Sequence, residues 1–161
     1  MEILVLNSSE QARAHFRDLA DLLYECLSLN LPDEGWALDD ARSQVERLFI
    51  NLDENTAFLF MAFEADKLIG FAWTYQRQIA RRIRMHINHI VVYSGSRGTG
   101  VGRSILEAII KRARDMNMDA IDLLATKDRE DVVRFYLQNG FCVERLQMIY
   151  RIPKASTGRN N

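Results

Sequence analysis

The sequence predicts a mixed α/β fold, with a central, mostly antiparallel mixed sheet that carries one β-α-β unit and has helices on both faces. Three observations predict it. Two N-terminal segments repeat apolar residues at helical spacing. Three strand-like runs joined by short polar turns follow, the pattern of antiparallel neighbours. The chain then reads strand, glycine-rich turn, long amphipathic helix, strand, which is the order of a crossover between parallel strands. The full order is β-α-α-β-β-β-α-β-α-β, and such a sheet needs helices over both faces.

Each element has its local reason. Glu2–Leu6 is a short apolar strand. "SSEQ" begins at Ser8 with Gln11 three residues on, the spacing of a capping box. From there to about Leu29, Phe16, Leu19, Leu22, Leu23, Cys26 and Leu27 form one helical face. "NLPDEGW" is a loop, broken by Pro32 and Gly35. A second helix starts near Asp39 or Asp40 and carries Val45, Leu48 and Phe49. Thr56–Phe63 and Lys67–Gln78 are strands joined by the turn "EADK". Arg84–Tyr93 is the next strand, reached through the basic turn "QIARRIR". Gly100–Met116 is a helix with Val101, Ile105, Leu106, Ile109 and Ile110 inward. "MDAIDLLAT" is a buried strand, and Asp128–Gln138 is a shorter helix ended at Gly140. Phe141–Ile152 is expected to be a last strand. "PKASTGRNN" reads as a disordered polar tail, which leaves 1–152 as a single domain.

Composition excludes several classes. The chain has 161 residues, 48% hydrophobic and 27% charged, with net charge −1. That charge steers it neither to nucleic acid nor to a membrane surface. No apolar run approaches the roughly 20 residues of a membrane span, and the start "MEILVLNSSE" does not read as a signal peptide. Cys26 and Cys142 suggest no disulfide framework. Both read as reduced, buried thiols of a cytoplasmic protein. No metal-ligating pattern stands out.

The stretch "VVYSGSRGTGVGRS", Val91 to Ser104, carries the chemistry. Gly98, Gly100 and Gly102 allow the backbone to approach a ligand closely. The helix that follows offers unpaired N–H groups to an anion, and Arg97 and Arg103 add charge. A flexible connection would use the same glycines. Two common phosphate loops do not match. Gly95 and Gly100 have Walker A spacing, but Val101 stands where its lysine belongs. The G-T-G-V-G spacing and the preceding antiparallel strands do not fit the dinucleotide fingerprint.

"RGTGVG" matches Arg/Gln-x-x-Gly-x-Gly, and "VVRFYLQNGF" resembles A-x-x-F-Y-x-x-x-G-F. With "INHIVV", the amphipathic helix and "IDLLAT" in order, residues Met85 to Tyr150 resemble the GNAT superfamily of acetyl-CoA-dependent N-acetyltransferases. The N-terminal half agrees in element order only. The resemblance implies a GNAT-like sheet and an acyltransferase that moves an acetyl group from acetyl-CoA to a primary amine. The amine attacks directly, through a tetrahedral intermediate. Arg97, Gly98, Thr99, Gly100, Val101 and Gly102 would seat the pyrophosphate, with Arg103 and Ser104 opening the helix. Ile90, Val91 and Val92 would pair with the pantetheine arm, and a backbone N–H near Ile90 would stabilise the oxyanion.

Tyr136 matches the tyrosine that protonates the leaving thiolate. His86 and His89 are the candidate bases, with a water as the alternative. His86 and Asn88 share a face by alternation, and His89 points the other way unless a bulge intervenes. Arg129 and Val132 depart from the Asn and Ala usual in the last helix. The short region after "GF" leaves the acceptor pocket open or completed by a second chain, as in a homodimer.

The acceptor is a small-molecule or protein amine, with Asp33, Glu34 and Trp36 as its candidate contacts. The basic cluster Arg77, Arg81, Arg82 and Arg84 reads as a solvated edge or a seat for an anionic acceptor. No aromatic spacing supports nucleic acid. The competing readings are a non-catalytic acyl-CoA-binding regulatory domain and a basic-hairpin adaptor.

Overall fold

The computed structural model describes residues 1–152. The chain forms two compact units, one over Met1–Ala125 and one starting at Thr126. The predicted tail, 153–161, lies outside the described residues.

The first unit holds a five-stranded sheet in the order β1-β2-β3-β4-β5. The strands are β1 (Glu2–Leu6), β2 (Ala57–Glu64), β3 (Lys67–Ile79), β4 (Arg82–Val92) and β5 (Ala120–Leu123). The first four are antiparallel and β5 runs parallel to β4. This is the predicted mixed α/β fold. Ala65 and Asp66 both take positive φ, at 46° and 65°, so β2 and β3 meet at a tight two-residue turn. The predicted basic turn shrinks to Ala80 and Arg81, because both flanking strands continue pairing to Ile79 and Arg82.

Helices cover both faces. On one lie α1 (Ser9–Ala12), α2 (Phe16–Asn30) and α3 (Leu38–Asp53). Leu19 and Leu23 of α2 and Leu48 and Leu52 of α3 bury fully in one cluster with Leu59, Met61 and Phe71 of the sheet. Such burial contributes about 1.5–3 kcal/mol per side chain. The other face carries α4 (Val101–Asp115), whose Ile105, Leu106 and Ile109 are completely buried. Sheet and helix approach closely where β3 has no side chain. A Cβ on Gly70 would lie 2.8 Å from the Val91 carbonyl oxygen and 3.2 Å from Val101 Cγ1.

Two local expectations change. The first helix is interrupted by a 3-10 turn at Arg13–His15. Its predicted Ser8–Gln11 box does not form, because the Ser8 hydroxyl accepts from the Glu10 N–H at 3.4 Å instead, while the Asp53 carboxylate at the end of α3 takes the Ser9 N–H and hydroxyl at 2.9 and 2.7 Å. Half of such a box occurs instead at α3, where the Ala37 N–H donates to the Asp40 carboxylate at 2.8 Å.

The second unit contains α5 (Glu130–Gln138). Arg129 grips Asp131 with two bonds of 3.0 and 2.9 Å, and this contact first of all holds the Asp131 carboxyl down at about 2. The helix ends as predicted at Gly140. Its N–H bonds the Leu137 carbonyl and the Phe141 N–H bonds that of Tyr136, a Schellman closure. The predicted strand Phe141–Ile152 is absent. A strand is made by ladder bonds to a neighbour, and this segment pairs with none among the described residues. Cys142 lies in it and is exposed, contrary to expectation, whereas Cys26 is buried in α2.

Candidate active site

The site is built on β4. Its register with β3 slips between Trp73 and Thr74. His89 faces Trp73, Ile87 faces Thr74, and Asn88 is left over as a bulge. Trp73 and Tyr75 lie on one face of β3, so their partners His89 and His86 lie on one face of β4. The sequence pattern separates these two rings and the bulge brings them to the same side. The Trp73 and His89 rings lie 5.9 Å apart, and those of Tyr75 and His86 lie 4.9 Å apart.

β5 completes a charged cluster. It pairs Asp122 directly with His86. His86 Nδ1 lies 2.6 Å from Asp122 Oδ1. Arg77 donates to Asp122 Oδ2 from NH2 at 2.6 Å and from Nε at 3.2 Å. Arg84 NH1 lies 3.5 Å from the same oxygen. Burial pushes the Asp122 carboxyl up, but bonds from His86 and Arg77 outweigh it and hold the group below its usual range. Two members of the predicted solvated edge are therefore tied inward. Arg84 is 7% exposed because it lies on the core-facing side of β4 with a carboxylate to meet.

His89 is in a different state. Burial, reinforced by the charge of His86, pulls it down to about 4, so its ring is neutral at pH 7. Its Nε2 lies 3.3 Å from Gln44 Oε1 of α3. That oxygen accepts, so Nε2 carries the proton. Beside it an open cleft of roughly 640 Å³ lies between α3 and the sheet. Trp36, Trp73 and Tyr75 supply aromatic walls, Gln44 and Asn88 supply amides, and Asp40 supplies a carboxylate. Of the predicted acceptor contacts Trp36 lines this cleft. Asp33 and Glu34 are exposed on the 3-10 turn Pro32–Glu34 and do not line it.

The other end of β4 leads to the glycine loop. β5 pairs with β4 only as far as Leu123 opposite Ile87. From Asn88 to Val92, β4 has a neighbour on the β3 side only. The Tyr93 N–H bonds the Ile69 carbonyl. The antiparallel alternation then turns Val91 toward β3, and Ile90 and Val92 toward the open edge. The Val92 carbonyl does accept from Arg97 Nε, at 3.3 Å. Gly98 and Gly100 take φ of 76° and 95°, values that favour glycine, and Gly100 caps α4. No atom lies within 4 Å of a Cβ placed on either. Ser104 makes the first helical bond, to Gly100, which leaves the N–H groups of Val101, Gly102 and Arg103 without helical acceptors. Arg97 also reaches Glu25 at 3.7 Å, and Arg103 pairs with Glu107 at 3.0 Å.

Tyr136 belongs to the second unit. Its ring meets Phe135 at 5.1 Å and Phe141 at 5.3 Å. Among the described residues no His, Cys, Asp and Glu cluster is placed to hold a metal ion, and no helix is long and apolar enough to cross a membrane.

Asp122 and Gln44 were not singled out in the sequence. An acid inside the apolar run "AIDLL" was the available signal for Asp122, since a buried carboxylate needs partners and the basic hairpin offered them. Gln44 has no such signal.

An opened strand edge beside an anion-seating helix start is suited to a long, phosphate-bearing group donor. The chain belongs to the acetyltransferase (GNAT) family, whose sequence pattern matches residues 16–141. A mycothiol acetyltransferase of Propionibacterium freudenreichii subsp. shermanii is 32% identical over 87% of this chain. The chain spans about half the length of the curated relatives it matches, 46% in that case. A transcriptional regulator from Bacillus halodurans C-125 shares the fold with a TM-score of 0.76 at 18% identity, over 94% of this chain and 100% of that one. An aminoglycoside acetyltransferase from an uncultured soil metagenomic sample, solved with trehalose, gives 0.72 at 17% identity, over 95% and 96%.

Proposed function

We propose that this chain is an N-acetyltransferase that uses acetyl-CoA as donor and the cleft beside His89 as the acceptor site. The observation that carries the reading is β4 itself. One strand joins an open backbone edge, a glycine loop at a helix start, and two histidines paired with Trp73 and Tyr75, which line an aromatic and amide-walled cleft.

The residues present fit the donor. The open space over Gly98 and Gly100 leaves room for a diphosphate against the free N–H groups of α4, and Arg97 stands beside it. Bound acetyl-CoA supplies an activated thioester. The Ile90 N–H, turned to the open edge, is the donor proposed for the carbonyl oxygen as negative charge develops there.

Asp40 and the aromatic faces suit a protonated amine. His86 takes the amine's proton, directly or through a water. His89 binds a proton too weakly for that work at neutral pH, and orients the cleft through Gln44 instead. The Tyr136 phenol is assigned the proton for the departing thiolate on the family resemblance.

The test is a panel of small-molecule and peptide amines, followed by acetyl-CoA-dependent thiol release. At least one amine should accelerate release, and His86→Gln should lower kcat about 10²–10⁴-fold. Tyr136→Phe should lower kcat as well. If acetyl-CoA binds by calorimetry yet no amine accelerates release, the chain is an acyl-CoA-binding domain and the enzyme reading is lost.

A further inference from the structure

We infer that Asp122 is a positioning residue for the acceptor base, fixing the His86 ring so that its lone pair stands on Nε2. The inference rests on the reading of His86 as that base.

A carboxylate can only accept a hydrogen bond. At 2.6 Å from Asp122 Oδ1, His86 Nδ1 must therefore carry the proton of the neutral ring. The base lone pair is left on Nε2. The second carboxylate oxygen is occupied by Arg77, with Arg84 behind it. These contacts keep Asp122 ionised and prevent it from rotating away from the ring. The register of three adjacent strands sets the arrangement. Tyr75 lies opposite His86, Arg77 opposite Arg84, and Asp122 opposite His86. Burial makes each contact matter, with His86 and Arg84 side chains 7% and 9% exposed. An unpaired charge at this depth would be costly.

The charged and titratable groups about the ring are Asp122 of β5, Arg77 and Tyr75 of β3, and Arg84 and His89 of β4. Arg47 of α3 lies on the cleft wall. With His86 neutral, the two arginines and Asp122 sum to one positive charge. Asp122 favours the proton that His86 receives and the guanidinium groups oppose it. A purely structural role would be different. The same contacts could simply tie the four-residue strand β5 to the sheet.

The experiment has three arms on the full chain. In the wild type, imidazole nitrogen shifts of His86 should report the Nδ1–H tautomer. Asp122→Asn places an amide donor within reach of Nδ1 and should move the ring toward the Nε2–H tautomer. With the best amine of the panel, this variant should lower kcat by about 10-fold or more. Its acid limb of kcat/KM should shift down by about one pH unit, the usual effect of removing an adjacent opposite charge. KM for acetyl-CoA should be unchanged. Asp122→Glu, which keeps the charge, should restore part of kcat and the position of the limb.

An Nε2–H ring in the wild type would overturn the inference without any variant. So would a drop in melting temperature for Asp122→Asn with the tautomer and acid limb unmoved. If His86→Gln leaves turnover intact while the tautomer responds to Asp122, the assignment of the base fails and the positioning contact stands.

Discussion

Replacing His89 by Gln tests the electrostatics behind Gln44 and Trp73 of the cleft wall through folding stability. The His89 imidazole titrates at about 4 in the native chain, against 6.5 when exposed. The unfolded state therefore binds this proton more readily than the native state. Native stability from this group is complete above 6.5 and falls as pH drops from 6.5 toward 4. Each unit of difference corresponds to about 1.4 kcal/mol. Between pH 7 and pH 5 the two values give a loss of about 2 kcal/mol. Asp53, Asp122 and Asp131 titrate below 3.8, so they stay ionised at pH 5 and contribute equally to both proteins. The assay is urea unfolding followed by far-ultraviolet circular dichroism at pH 7 and pH 5. The wild type should lose about 2 kcal/mol more than His89→Gln on acidification. An equal loss in both proteins would show that burial does not depress this imidazole, and the assignment of His89 as a neutral, non-basic residue would go with it.

Three further outcomes follow from the packing and the loop. Gly100→Val puts a branched side chain at φ 95°, a strain of about 1–3 kcal/mol, and fills open space above α4. Calorimetry should show acetyl-CoA affinity reduced at least about 10-fold, and unchanged affinity would move the phosphate seat elsewhere. Gly70→Ala drives a Cβ to 2.8 Å from the Val91 carbonyl oxygen. Stability should fall by about 1–3 kcal/mol, read as a lower melting temperature in scanning calorimetry. Leu48→Ala opens a cavity under α3, where the side chain is 0% exposed. It should cost about 2–5 kcal/mol in urea.

The fold was legible where local pattern and tertiary need agree. The long helix from Val101 to Asp115 and the Gly140 closure follow from spacing and end chemistry alone. The failures share a cause, because each depended on a distant partner. Ser8 begins a good capping box by sequence, but its hydroxyl takes the Glu10 N–H and the neighbouring Ser9 is held by a carboxylate 44 positions away. Leu146, Met148, Tyr150 and Ile152 alternate like a strand, yet alternation supplies no ladder partner. The same holds at the site. The glycine loop is local, and it could be read directly. Asp122 acquires meaning only through the pairing of β5 with β4, and Gln44 only through the packing of α3 over His89.

The bulge at Asn88 leaves the parity of the strand intact on each side. Met85 and Ile87 below it, and Ile90 and Val92 above it, all face α4, while His86, His89 and Val91 face the opposite layer. Excising the single residue would restore an unbroken two-residue rhythm with every neighbour still on its own side. Asn88 is thus an insert that the β3–β4 pairing carries without depending on it, and it lines the cleft. Position 88 can vary in size and polarity without re-facing a core side chain. The cleft therefore has a point on its sheet wall that can change without disturbing the strand beneath it.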